Sequence, residues 1–130
     1  MKIEKLIFGG FGLTRDEKGK PIFVYKAVPE DDIEITIVSE KKSYSKAIIK
    51  KIIKPSKFRI TPICPAFNDC GGCEHQNISY NQQLIFKNEI FKEALAREKI
   101  VTRSHELIKG SDSPFYYRNV TRFMFALNYK

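Results

Sequence analysis

The sequence predicts a mainly β protein: a small five-stranded barrel of the OB-like type, then a cysteine loop, one amphipathic helix and the first strand of an incomplete second domain. Three observations predict it. Residues 1–57 are short apolar runs parted by glycine- and proline-containing turns, with no helical period. All three cysteines then fall within Cys64 to Cys73. A 3.6-residue apolar period first appears after Ser79. The expected boundaries are therefore 1–57 for the barrel, 58–78 for the cysteine loop, 79–99 for the helix and 100–130 for the truncated start of a further domain.

Ile3, Leu6, Ile7 and Phe8 predict a first strand, ended by the turn Gly9-Gly10-Phe11-Gly12. The polar run Asp16 to Lys20 is a turn signal, and Ile22-Phe23-Val24-Tyr25 is the next strand. After a turn at Pro29 to Asp32, Ile33, Ile35 and Ile37 alternate with Glu34 and Thr36, the period of a half-buried strand. Lys41-Lys42-Ser43 turns the chain back into a last strand from Tyr44 to Lys54. There the adjacent pairs Ile48-Ile49 and Ile52-Ile53 break alternation, which calls for a bulge or strong coiling. The glycine run is not a phosphate-binding loop, because no helix pattern and no Lys-Ser or Lys-Thr pair follows it.

Pro55 and Pro62 bracket the exit from the barrel. Beyond the cysteines, Ser79 is the expected N-cap, with Gln82 three residues on completing a capping box. Leu84, Ile90, Phe91, Ala94 and Leu95 recur near helical spacing to about Lys99, and charged residues fill the remaining positions. Residues 100–113 read as loop, and a strand is expected from Arg118 to Leu127. A single strand cannot be stable without a partner.

The apolar fraction of 42% and charged fraction of 29% are those of a soluble globular chain. No apolar run reaches the roughly 20 residues of a membrane helix, and Met1 to Lys5 lacks the apolar core of a secretory signal. The expectation is a cytoplasmic monomer without membrane association. The formal charge of +8 points to an anionic partner. Between Lys41 and Arg59 the chain carries Lys41, Lys42, Lys46, Lys50, Lys51, Lys54, Lys57 and Arg59 and no acidic residue. On a barrel of an oligonucleotide-binding type, that run is expected to contact the RNA backbone, positioning RNA rather than reading its sequence.

Cys64, Cys70 and Cys73 are spaced C-x5-C-x2-C in the stretch C-P-A-F-N-D-C-G-G-C-E-H-Q. Buried free cysteines usually appear singly in apolar runs, so three on one polar loop point to a shared ligand. Two metals suit them. An iron–sulfur cluster takes thiolates at separate corners, and Gly71-Gly72 would let the backbone approach through positive φ angles and offer N–H groups to sulfur. Zinc would take the three thiolates with His75, although Cys73 and His75 lie closer in sequence than usual zinc pairs. A four-iron cluster needs a fourth ligand from beyond Lys130, or from a non-cysteine group.

The cysteine stretch, followed by Ser79-Tyr80-Asn81-Gln82-Gln83-Leu84 and Lys87, resembles the iron–sulfur segment of bacterial RNA uracil-C5 methyltransferases. More narrowly it resembles the subgroup that acts on large-subunit ribosomal RNA and carries an N-terminal TRAM domain. The Gly10-Phe11-Gly12 run and Ala27-Val28-Pro29-Glu30 are similar to TRAM positions, and Tyr117-Arg118-Asn119 is similar to the entry to the family's central domain. Val120 departs from the lysine common there.

The resemblance implies a 4Fe-4S cluster on Cys64, Cys70 and Cys73, ribosomal RNA as partner, and S-adenosylmethionine as methyl donor in the full-length protein. In such enzymes a downstream cysteine attacks C6 of the base and a general base removes the C5 proton. No residue of this chain is expected to be catalytic, and the segment alone is expected to be inactive. The competing expectation is a stand-alone TRAM-type RNA-binding module with a structural metal site. A small electron carrier is disfavoured, because such proteins supply complete cluster ligation and need no basic strand.

Overall fold

In-and-out alternation decides the inside of the sheet. Along Pro21–Tyr25, Ile22 and Val24 are buried while Pro21, Phe23 and Tyr25 are half-buried on the other face. The same rule holds at Ser45 and Ala47 against Lys46 and Ile48. Inward residues Ile3, Ile22, Val24, Ala27, Ile33 and Ala47 form one core cluster, with Ile35, Ile49 and Ile52 packed against it. Each fully buried Ile or Val contributes roughly 1.5–3 kcal/mol, so this cluster outweighs any single polar contact on the sheet.

The computed structural model describes residues 1–117, 119 and 120. Its strands are β1 (Lys5–Leu6), β2 (Phe11–Arg15), β3 (Pro21–Tyr25), β4 (Asp32–Glu40) and β5 (Ser45–Lys54), followed by helix α1 (Tyr80–Arg97). They form one five-stranded sheet in the order β1-β2-β3-β5-β4, antiparallel except for the parallel pair β3–β5. The ladder does not close into a continuous barrel. Its two edges meet where Lys2 bridges Asp32, and the Ile33 N–H donates to the Met1 carbonyl at 2.9 Å.

One expectation changes at the strands and one holds. Phe11 and Gly12 belong to β2 rather than to a turn, which pairs Phe11 with Tyr25 and Gly12 with Val24. Only Gly9 and Gly10 take positive φ in that run, so the chain reverses one step earlier than composition suggested. The broken alternation of the last strand does mark irregular pairing. Asp32 faces Lys54 while Ile33 faces Ile52, and Glu34 faces Lys51 while Ile35 faces Ile49, leaving Ile53 and Lys50 unpaired in β5. These shifts keep both Ile49 and Ile52 against the core.

The helix starts where predicted but is capped differently. Ser79 makes no side-chain cap bond. Gln83, not Gln82, reaches back, its Nε2 donating to the carbonyls of His75 and Ile78 at 2.9 Å each. Phe86 and Ile90 pack with Leu6, Val28, Ile78 and Phe58, and the Phe58 and Phe86 rings meet edge to face at 5.4 Å. Lys5 Nζ, 2.7 Å from Glu93, ties the far end of the helix to β1. The expected apolar stripe is only partly used, since Phe91 and Ala94 are exposed and Phe86, outside that stripe, is the buried apolar residue.

Residues 100–113 are irregular as expected and fold back on the helix, with the Ser111 N–H donating to the Tyr80 hydroxyl at 2.7 Å. Residues 114–116 form bends, and the strand expected from Arg118 to Leu127 lies outside the described residues apart from Asn119 and Val120.

Candidate functional site

The outer face of the sheet carries the first candidate. Because Phe23 and Tyr25 point away from the core, the parallel register sets Phe23 beside Lys46 and Tyr25 beside Ile48. Phe23 stacks on Tyr44 at 5.2 Å and Phe11 leans on Tyr25 at 5.9 Å. The ammonium of Lys46 lies 5.6 Å from the centre of the Phe11 ring. Aromatic rings interleaved with lysine suit unpaired bases and phosphates. Sequence patterning singled out the lysines and missed this arrangement, because it depends on β3 lying parallel to β5.

Lys41, Lys42, Lys46, Lys50, Lys51, Lys54 and Lys57 are all exposed along β5, its preceding turn and its exit. Strand β4 and the turn before it bring counter-charge that the run itself lacks: Lys50 lies 3.8 Å from Glu34, and Lys57 lies 3.5 Å from Glu30. Such exposed pairs contribute about 0–1 kcal/mol and leave the lysines free to exchange partners.

Arg59 is placed differently from the seven lysines. Its side chain is largely buried, with Nε and Nη2 donating to the carboxylate of Asp31, itself 0% exposed. It serves the interior, so an RNA-contact role does not follow from its place in the basic run. The signal was available in Asp31, an acid in a turn beside apolar residues, but its burial was not legible.

The cysteine loop leaves and returns through one neck. Arg59 bridges Ile78, and the Ile60 N–H donates to the Asn77 carbonyl at 2.9 Å. Within the loop a tight turn forms as the Cys70 N–H donates to the Ala66 carbonyl at 2.8 Å and the Phe67 N–H to the Cys64 carbonyl at 3.1 Å. Gln76 spans it: Oε1 accepts from the Cys64 N–H at 3.1 Å, and Nε2 donates to Cys73 Sγ at 3.2 Å. The Gly72 N–H donates to Cys70 Sγ at 3.3 Å. Two sulfurs thus already accept N–H donors, as metal thiolates do.

Gly71 and Gly72 do not use positive φ, contrary to expectation. Gly71 faces open space, and a Cβ on Gly72 would lie 3.4 Å from Cys70 Sγ. Gly10, φ +78°, permits a close approach to the cysteine loop, since a Cβ there would lie 2.9 Å from the side chain of Glu74. All three cysteines are free thiols. Among the described residues no three His, Cys, Asp or Glu side chains are gathered closely enough to hold a metal ion. The donor set fits a sulfur-ligated metal by its chemistry and by its confinement to one necked loop, though not by the present spacing of the sulfurs. His75, the fourth zinc ligand considered, is held below the usual imidazole range by burial, partly offset by Glu74 and reinforced by Lys87.

Lys26 is the residue that sequence reasoning missed. It follows β3 at φ 55°, a left-handed conformation that costs a non-glycine residue of order 1–3 kcal/mol. It is nonetheless buried, 8% exposed. Its ammonium donates to the carbonyls of Phe67 and Cys70, lies 4.3 Å from the centre of the Phe67 ring and 4.9 Å from that of Tyr25. Its own carbonyl accepts from Asn77 Nδ2 at 2.8 Å and Arg59 Nη2 at 3.2 Å.

The described residues thus combine a small sheet, a basic outer face and a necked cysteine loop. No protein-family profile matches the chain. Curated relatives do. An uncharacterized RNA methyltransferase of Aquifex aeolicus is 36% identical over 129 residues, covering 98% of this chain and 30% of the relative. The 23S rRNA (uracil(1939)-C(5))-methyltransferase RlmD of Psychromonas ingrahamii is 37% identical over 125 residues, covering 95% of this chain and 28% of the relative. A crystal structure of Pyrococcus abyssi tRNA (uracil-54, C5)-methyltransferase in complex with S-adenosyl-L-homocysteine shares 26% identity at a TM-score of 0.49, over 73% of this chain and 21% of that one. Over most of its length the chain is homologous to RNA uracil-C5 methyltransferases, and it spans less than a third of the length of these relatives. Among the described residues there is no catalytic domain, and no helix is long and apolar enough to cross a membrane.

Proposed function

We propose that this chain is the N-terminal RNA-binding and iron–sulfur segment of an S-adenosylmethionine-dependent ribosomal RNA uracil-C5 methyltransferase. The sheet is its TRAM-type domain. The observation that carries the reading is the outer face, where Lys46 lies over Phe11 beside the Phe23–Tyr44 stack and next to exposed Lys50 and Lys51. Lysines there neutralise phosphates while the rings accept unstacked bases, so the segment would hold an RNA strand for a catalytic domain elsewhere in the protein.

Cys64, Cys70 and Cys73 would hold a 4Fe-4S cluster, the fourth ligand coming from outside this chain. When bound, the cluster supplies structural cross-linking of the loop to the next domain. The residues here orient it: Gln76 and the Gly72 N–H direct hydrogen bonds at two of the sulfurs. Support comes from the C-x5-C-x2-C spacing and from the N–H donors already directed at Cys70 and Cys73.

The test is binding of a labelled single-stranded RNA across a salt series. Affinity is expected to fall steeply with salt. Replacing Lys46, Lys50 and Lys51 together with alanine is expected to flatten the slope by about one for each phosphate that is no longer neutralised. An unchanged affinity and slope would remove the outer face from the reading. Methyl transfer by the chain alone is expected to be undetectable.

A further inference from the structure

The cysteine loop has few apolar anchors of its own. Between the neck residues Arg59 and Asn77, Phe67 is the buried side chain, while Cys70, Gly71, Gly72, Cys73 and Glu74 are exposed. Something other than a core must set its position on the sheet. Residue 26 touches it at three separate points: Arg59 before the loop, Phe67 and Cys70 at its turn, and Asn77 after it.

We propose that Lys26 is the positioning residue that seats the cysteine loop on the sheet. The backbone carbonyl fastens both sides of the loop's neck, and the ammonium caps the carbonyls at its turn. Left-handed φ at residue 26 is what lets both groups face the loop at once. A glycine would satisfy that backbone more easily but would forfeit the ammonium's bonds to the Phe67 and Cys70 carbonyls.

Charge makes the assignment sharper. A buried ammonium normally has a carboxylate partner. Among the described residues Lys26 has no ion pair, only two carbonyls and the faces of Tyr25 and Phe67. Its charge therefore stands uncompensated at the base of a loop bearing three thiols. An anionic sulfur-ligated iron centre is an occupant of matching charge. This last step rests on the iron–sulfur reading, whereas the seating role does not.

Two variants of the 130-residue chain separate the possibilities: Lys26→Met, which keeps length and removes charge and donors, and Lys26→Gly, which also relieves the backbone. Amide hydrogen exchange is measured at Phe67 and Cys70, with β3 and β5 as internal reference. Both variants are expected to speed loop exchange about tenfold or more while the strands stay protected. Lys26→Gly is expected to do so even if its urea midpoint rises, which a merely structural turn residue would not produce. Loop exchange equal to that of the unsubstituted chain in both variants would overturn the assignment. After anaerobic incubation with ferric iron, sulfide and an excess of a small thiol, which reduces part of the iron and stands in for the fourth ligand, Lys26→Met is expected to lose iron faster than the unsubstituted chain. If the unsubstituted chain holds no iron, the iron–sulfur reading fails, and the exchange result still decides the role of Lys26.

Discussion

The carboxylate of Asp31, fully buried, accepts two N–H bonds from the guanidinium of Arg59 and one each from the backbone amides of Val28 and Ser56 at 2.8 and 2.9 Å. The pair joins the turn before β4 to the neck of the cysteine loop. Removing one member leaves the other charged and unpaired in the interior, at a cost of about 3–5 kcal/mol. Asp31→Asn is therefore expected to lose that much in urea unfolding, a large fraction of a small domain's stability. A loss below about 1 kcal/mol, the range of an exposed pair, would mean that the site is wetter than its geometry indicates.

Gly12 and Gly19 separate packing from backbone conformation. At Gly12 a Cβ would lie 2.9 Å from both the Ala27 Cβ and the Ile3 Cγ2, and 3.2 Å from the Ala27 carbonyl oxygen. Gly19 has φ +79° and open space around it. Gly12→Ala is expected to cost about 1–3 kcal/mol through overpacking of the core. Gly19→Ala should cost about 1–2 kcal/mol through its left-handed backbone alone. Adding Ala27→Gly tells the two apart: it should recover part of the Gly12→Ala loss and none of the Gly19→Ala loss.

Much of the sheet was legible because alternation at Ile33 and Ile35 and the doubled isoleucines of β5 are local signals of burial and bulging, although Ile37, third in the alternation, is exposed. Three things were not. Strand β2 was hidden by Gly9, Gly10 and Gly12, since glycine marks turns more often than strands, and only packing against Ile3 and Ala27 explains Gly12. The aromatic face depends on a parallel crossover that pairs Phe23 with Lys46, a long-range fact with no local trace. Arg59 was read by charge and Lys26 was passed over, since charge at sequence level says exposed unless a buried partner is known.

At the start of α1 the reach of Gln83 replaces the side-chain cap expected from Ser79 and Gln82. Gln83→Leu removes the partner of two carbonyls and is expected to cost about 1–3 kcal/mol. Gln82→Ala, at a position with no such bond, should stay within about 0.5 kcal/mol of the parent. Thermal unfolding of the two single variants checks the ranking, and equal losses would restore the capping box.

The outer face predicts two kinds of defect in RNA binding. Phe11 and Phe23 present rings whose contact with a base does not depend on ionic strength, whereas Lys46 acts through counterion release. Phe23→Ala should therefore weaken single-stranded RNA binding by about 1–3 kcal/mol with the salt slope preserved. Lys46→Ala should lower the slope by about one and lose its effect at high salt. Both rings are half-buried against neighbours, so circular dichroism must first confirm folding of each variant. A duplex RNA of the same length provides the contrast: with its bases stacked internally it should feel the lysine substitution but not the phenylalanine one. If Phe23→Ala weakened duplex and single strand equally, the rings would be supporting the strand rather than meeting bases.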